Sequence, residues 1–157
     1  MNQARSEDPP TYGADDALIE RALAVLRQKH APGTYIDSPK ALKTFLTLAY
    51  SGSEAEVFSV VFLTSQHTII EHVEMFTGTL AQTSVYPREV VKAALRLNAG
   101  AVIFCHNHPS GNAEPSRADE NLTRALKAAL GLIGVLTLDH VVVGGGHCVS
   151  FAERGLL

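Results

Sequence analysis

The 157-residue sequence lacks the features that mark a chain for disulfides, membranes or nucleic acid. It has two cysteines, Cys105 and Cys148. That is too few for a disulfide framework, and their spacing is not that of a cysteine zinc site. No window holds the roughly 20 apolar residues that cross a bilayer, so no membrane segment is expected. The opening residues, M-N-Q-A-R-S-E-D-P-P, contain no apolar h-region, so no secretory signal is read and a cytoplasmic location is expected. There is no run of Lys and Arg, and the formal net charge is −3. Both count against direct binding to DNA, which needs clustered positive charge against phosphate. Charged residues make up only 18% and hydrophobic residues 46%, the profile of one globular domain with a real core. No internal repeat is visible.

What is present divides into an expected flexible leader (residues 1–13), a helix with its linker (14–33) and a main domain (34–157). Asp15 to His30 carries Ile19, Ala22, Leu23 and Leu26 at helical spacing, and Pro32-Gly33 stops it. Ser38-Pro39 is an N-cap and first-turn pair for a helix with Leu42, Phe45, Leu46 and Ala49 on one face. Glu56 to Leu63 is apolar on both faces and predicts a central strand. Its hairpin partner is His67 to Phe76, with His72 and Glu74 on one face. Pro87 to Asn98 predicts a helix, and Ala99 to Cys105 a short buried strand. A helix from about Arg117 to Leu132 has the stripe Leu122, Leu126, Ala129, Leu130 and Ile133. Val135–Val143 and His147–Phe151 read as strands around a hairpin turn at Gly144-Gly145-Gly146. The fold class is therefore α/β, a mixed sheet with helices packed on it.

The stretch from His106 to Asp119 carries the chemistry. His106 and His108 lie two apart, and Asp119 follows His108 after ten intervening residues. Side chains alternate along a strand, so both imidazoles point one way if the extended backbone continues past Cys105. Pro109, Ser110 and Gly111 then turn the chain. Ser116 is a helix N-cap with Asp119 at the third helical position, where the helix dipole favours an ionised carboxylate. Two imidazoles and a carboxylate suit a divalent metal, zinc above all. Three protein ligands leave one tetrahedral position for water, the pattern of a catalytic site. The bland readings are a strand-end His-x-His without metal and a Ser116–Asp119 pair that only caps a helix. Alternation turns Cys105 and Asn107 away from the metal. The glycine triplet is no phosphate loop, because no helix follows it.

The spacing H-x-H, seven residues, Ser, two residues, Asp, with an upstream Glu, resembles the JAMM (MPN-plus, JAB1-type) metallopeptidases. More narrowly, H-N-H-P-S-G with P-S-x-x-D is similar to the bacterial RadC group. So are E-V-F-S-V-V-F-L at Glu56, F-T-G-T-L at Phe76, Y-P-R-E-V-V-K-A-A-L at Tyr86, L-D-H-V-V-V-G at Leu138 and S-F-A-E-R-G-L-L at Ser150. The resemblance spans about residues 34–157. It implies an MPN (JAB/JAMM) fold, a curved mixed sheet flanked by helices, and zinc-dependent hydrolysis of a peptide or isopeptide bond in a peptide or protein substrate. It implies Zn2+ on His106, His108 and Asp119, with Glu56 as the base and Ser116 as an oxyanion donor.

For Glu56 to reach that centre, its strand must run antiparallel to the Ala99–Cys105 strand. Glu54 has the same parity and is the rival, and a solvated strand-end charge is the bland reading of Glu56. Asp139-His140 implies a structural hydrogen bond near the site. Longer RadC proteins carry an N-terminal helix-hairpin-helix segment associated with DNA, which is not seen here. Cys105 and Thr64 stand where the group commonly has Ala and Asp.

The competing reading is a DNA-repair or recombination accessory protein without peptidase activity. An inactive scaffold is disfavoured by the complete ligand set. HNH nucleases disperse their motif along a ββα unit, and zinc deaminases need H-x-E and P-C-x-x-C. Neither pattern is present.

Overall fold

The computed structural model describes residues 13–78 and 84–157. The expected leader, but for Gly13, lies outside these residues. Five strands form one sheet in the order β2-β1-β3-β4-β5. They are β1 (Val57–Leu63), β2 (Ile69–Thr77), β3 (Ala101–Asn107), β4 (Leu136–Gly144) and β5 (His147–Ser150). The helices are α1 (Ala14–Lys29), α2 (Pro39–Tyr50), α3 (Pro87–Arg96), α4 (Arg117–Gly131) and α5 (Phe151–Arg154). β1 pairs antiparallel with both β2 and β3, β3 pairs parallel with β4, and β4 pairs antiparallel with β5. The sheet is mixed and flanked by helices, as the sequence predicts. The single parallel step needs a long crossover, and α4 supplies it.

The hydrophobic pattern puts a core on each face. Leu42, Phe45, Leu46 and Tyr50 of α2 cover Val57, Val61, Ile103, Cys105, Val141 and Val143. On the other face Val90 and Ala94 of α3 and Leu126 and Leu130 of α4 cover Phe58, Val60, Phe62, Val102 and Phe104. Every residue of β1 and β3 is buried, which explains why both read as apolar runs rather than alternating ones. Each fully buried Leu or Phe contributes roughly 1.5–3 kcal/mol, so the two central strands are the rigid platform of the fold. The β1–β3 register pairs Phe58 with His106 and Val60 with Phe104. His106 therefore lies on the α3/α4 face.

Local signals set most element ends. Ser38 Oγ accepts from Ala41 N at 3.2 Å, with Pro39 opening α2. The hairpin turn after β4 is Gly145-Gly146, both at positive φ (56° and 77°), while Gly144 still pairs with His147. Several boundaries differ from expectation, three of them for a visible local reason. β2 starts at Ile69, because His67 takes φ 61° and Thr64 Oγ1 accepts from both Gln66 N and Thr68 N, extending the turn. α3 stops at Arg96, with Asn98 at φ 51° beyond it. β5 stops at Ser150, whose Oγ accepts from Glu153 N at 3.1 Å and caps α5; a capping signal overrides the strand reading of Phe151. Among the described residues no helix is long and apolar enough to cross a membrane.

Candidate metal centre

β3 is shifted two residues along from the expected Ala99–Cys105 strand, running from Ala101 to Asn107. The ladder persists one step further, since His108 N donates to Val143 O at 2.7 Å. The extended backbone thus continues through both histidines, and their imidazoles share a face. The turn at Pro109–Gly111 reverses the chain, and Ser116 starts α4. Ser116 Oγ accepts from Asp119 N at 3.1 Å, and Ser116 N donates to Asp119 Oδ2 at 2.7 Å. This reciprocal box fixes the Asp119 carboxylate in the first turn of α4.

The two strand-end imidazoles and the helix-start carboxylate converge. Nε2 of His106 lies 3.0 Å from Nε2 of His108. Asp119 Oδ1 is 3.3 Å from His106 Nε2, and Oδ2 is 3.3 Å from His108 Nε2. Donors about 2.0–2.2 Å from a tetrahedral zinc lie about 3.3–3.6 Å apart. Here each imidazole meets its own oxygen of the Asp119 carboxylate, and one ligand atom from each residue lies within 4.8 Å of the others, close enough to converge on one ion. His108 Nδ1–H donates to the Asn112 carbonyl at 2.8 Å, which leaves its Nε2 lone pair aimed at the centre. The His106 side chain is 2% exposed, Asp119 14% and His108 18%, so the site is walled on the sheet side and open on the other. Two imidazoles and a carboxylate in this arrangement could hold a divalent metal ion.

The electrostatics agree. Hydrogen bonding to Asp119 raises the His108 pKa above its ordinary value, with its own burial opposing and Glu56 adding to the rise. Burial pushes the Asp119 carboxyl upward, but its contacts with the two imidazoles outweigh burial and hold that pKa well below the carboxylate range. Protons and a cation thus compete for the same lone pairs.

Glu56 is half-buried at the head of β1, whose antiparallel pairing with β3 meets the condition set by the sequence. Phe58 faces His106, so Glu56 lies at the His108 end of the pair, and its field reaches that ring. Glu54 is exposed and precedes the strand. Ser116 sits against Asp119, its hydroxyl donating to Oδ2 at 2.7 Å.

Two supporting roles, those of Asn107 and Thr123, escaped a reading of spacing. Asn107 does point away from the centre, as alternation requires, but its carboxamide straddles Glu56. Oδ1 accepts from Val57 N at 2.8 Å and Nδ2 donates to the Ala55 carbonyl at 3.0 Å. The wholly buried His140 stands 2.7 Å from His106 (Nε2 to Nδ1) and 2.6 Å from Thr123 (Nδ1 to Oγ1). Burial and the neighbouring His106 hold the His140 pKa well below normal. The contact of His140 with His106 is the structural hydrogen bond expected at Asp139-His140. Asp139 is structural too, accepting from Ser150 Oγ at 2.6 Å and from Ala152 N at 2.9 Å. Cys105 is buried on the α2 face, away from the centre.

Gly144 lets the ligand loop lie directly on β4. A Cβ there would stand 2.6 Å from Ala113 N and 2.7 Å from the carbonyl carbon of Asn112.

Known proteins resemble this chain over most of its length. Residues 36–156 match the family model described as a RadC-like JAB domain. A UPF0758 protein of Methylibium petroleiphilum is 57% identical over 141 residues, covering 90% of this chain and 64% of its own length. A UPF0758 protein of Nitrosomonas eutropha is 51% identical over 149 residues, covering 95% of this chain and 66% of its own. One from Leptothrix cholodnii is 55% identical over 141 residues. The chain thus spans about two thirds of the length of these relatives (64% and 66%). A His-His-Asp triangle at the end of a central strand, on a mixed sheet matched over this span, places the chain in the RadC-like JAB domain family.

Proposed function

We propose that this domain is a zinc-dependent hydrolase that cuts a peptide or isopeptide bond. The observation that carries the reading is the convergence of His106, His108 and Asp119, one ligand atom from each within 4.8 Å of the others. A zinc ion held there would act as a Lewis acid and lower the pKa of water to about 7. The remaining work falls to the protein. Glu56 accepts a proton from the attacking water and returns it to the departing amine, a role worth roughly 10²–10⁴-fold in rate. Ser116 Oγ sits on the rim, and by turning its hydrogen from Asp119 Oδ2 it becomes a donor to the developing oxyanion. A donor of this kind is worth about 3 kcal/mol. Asn107 keeps Glu56 in place by holding the backbone on both sides of it.

The test joins metal analysis to cleavage of a peptide library. Wild type should carry one zinc and cut in a chelator-sensitive way. Asp119→Ala should carry none, and Glu56→Gln should keep its zinc and lose at least 100-fold in turnover. Full zinc occupancy in Asp119→Ala would reject the ligand set. Undiminished turnover in Glu56→Gln would remove its role as base. A zinc-loaded protein that cuts nothing in the library would favour an accessory role in DNA repair over hydrolysis.

A further inference from the structure

We infer that His140 is a positioning residue which, through Thr123, fixes the tautomer of His106 so that its Nε2 lone pair faces the metal centre. The inference rests on His106 serving as a metal ligand but not on any hydrolysis. A neutral imidazole binds metal through whichever nitrogen lacks a hydrogen, so something must place the His106 hydrogen on Nδ1. Usually the acceptor is a carboxylate or a carbonyl, which can only accept. Here it is another imidazole, which can present either a hydrogen or a lone pair. The direction of that hydrogen bond must itself be set.

Thr123 sets it. Its hydroxyl has one hydrogen and two lone pairs. Thr123 Oγ1 lies 2.7 Å from the Asp119 carbonyl, which cannot donate, so the hydroxyl hydrogen goes there. The 2.6 Å contact with His140 is then made by a Thr123 lone pair, and His140 Nδ1 must carry a hydrogen. The His140 ring is walled by Phe58, Phe104 and Phe151, at centroid distances of 5.7, 5.6 and 4.7 Å. A neutral ring in that apolar box has a bare Nε2. His106 Nδ1–H donates to it across 2.7 Å, and His106 Nε2 is left free toward His108 and Asp119. Asp119 thus enters twice, its carboxylate as a candidate ligand and its backbone carbonyl as the anchor of the relay. The relay also ties β3, β4 and the first turn of α4 into one unit.

Thr123→Val removes the anchor while keeping the shape. His140 can then move its hydrogen to Nε2 and donate to His106 Nδ1, which puts the His106 hydrogen on the metal-facing nitrogen. Thr123→Ser keeps the hydroxyl. The experiment has two arms, both on the full chain. In the first, nitrogen-15 NMR of metal-free wild type at alkaline pH reads which nitrogen of each histidine is protonated. Protonated Nδ1 and bare Nε2 on both His106 and His140 are expected. A hydrogen on His106 Nε2 in wild type would overturn the inference, and this arm needs no variant. In the second, zinc alone is titrated into wild type, Thr123→Ser, Thr123→Val and His140→Phe. The Val and Phe variants should bind about 10–100-fold more weakly, and the Ser variant should stay near wild type. Wild-type affinity in Thr123→Val would refute the relay. If wild type bound no zinc, the hydrolase reading would fall while the NMR arm still decided the tautomer.

Discussion

Asn107 offers the sharpest test of how the centre is held, because its side chain serves backbone on a different strand fifty positions away. Asn107 is 2% exposed, and Asn107→Ala removes both of its polar atoms. Val57 N–H loses a 2.8 Å acceptor and the Ala55 carbonyl a 3.0 Å donor. A buried polar group left without a partner costs about 1–3 kcal/mol. Val57 is buried and bears this in full, whereas Ala55 is half-buried and recovers part of its loss from water. The sum is about 2–4 kcal/mol. At roughly 2–4 °C per kcal/mol for a chain of this size, Tm of the metal-free protein should fall by about 4–16 °C. Asn107→Asp should do no better. It keeps an acceptor for Val57 N–H but sets a buried carboxylate against the Ala55 carbonyl. The functional signature is a split. The carboxamide faces away from the metal ligands, so zinc stoichiometry should survive, while cleavage should fall because the backbone flanking Glu56 is released. Thermal melts, metal analysis and peptide turnover on one preparation decide it. An unchanged Tm, or loss of zinc together with activity, would refute the clamp.

Two further expectations follow from the same geometry. Gly144→Ala places a methyl 2.6 Å from Ala113 N, where only backbone could yield. Overpacking of this kind costs about 1–3 kcal/mol, and the loop that supplies the Asn112 carbonyl to His108 must shift. Both Tm and zinc affinity should drop, and a variant matching wild type in both would show the loop to be tolerant. The pH dependence of metal-free stability has a sign that can be worked out. His108, raised by Asp119, contributes stability that is complete below about pH 6.5 and lost as pH climbs through its folded pKa. His140, lowered by burial, contributes stability that is complete above about pH 6.5 and lost as pH falls toward its depressed pKa. In wild type the two oppose each other. Asp119→Ala removes the partner of His108, so from pH 7 to pH 5 that variant should lose more stability in urea unfolding than wild type does. A smaller loss would contradict the assignment.

Much of the candidate site was visible before any fold. His106 and His108 fall on one face because β-structure alternates, and Asp119 follows the capping spacing after Ser116. Neither needs distant information. The antiparallel run of β1 and β3 was a condition that Glu56 imposed, and the sheet meets it. Asn107 illustrates the limit. Alternation gave its direction correctly, but what lay in that direction depended on which strand came alongside. The end of β5 shows the opposite case, where a local Ser150–Glu153 cap overrode a strand pattern that Phe151 appeared to continue.

Local sequence was enough for every element type but α5, for the buried runs of β1 and β3, and for the three donors with their turn and cap, since each depends on residues within about a dozen positions of one another. The tertiary structure alone decided that Asn107 grips the backbone around Glu56, that His140 stands between Thr123 and His106, and that the ligand loop rests on Gly144. Those partners are set by strand order and register. Hydrophobic periodicity says which face a side chain takes, but not which neighbour waits there.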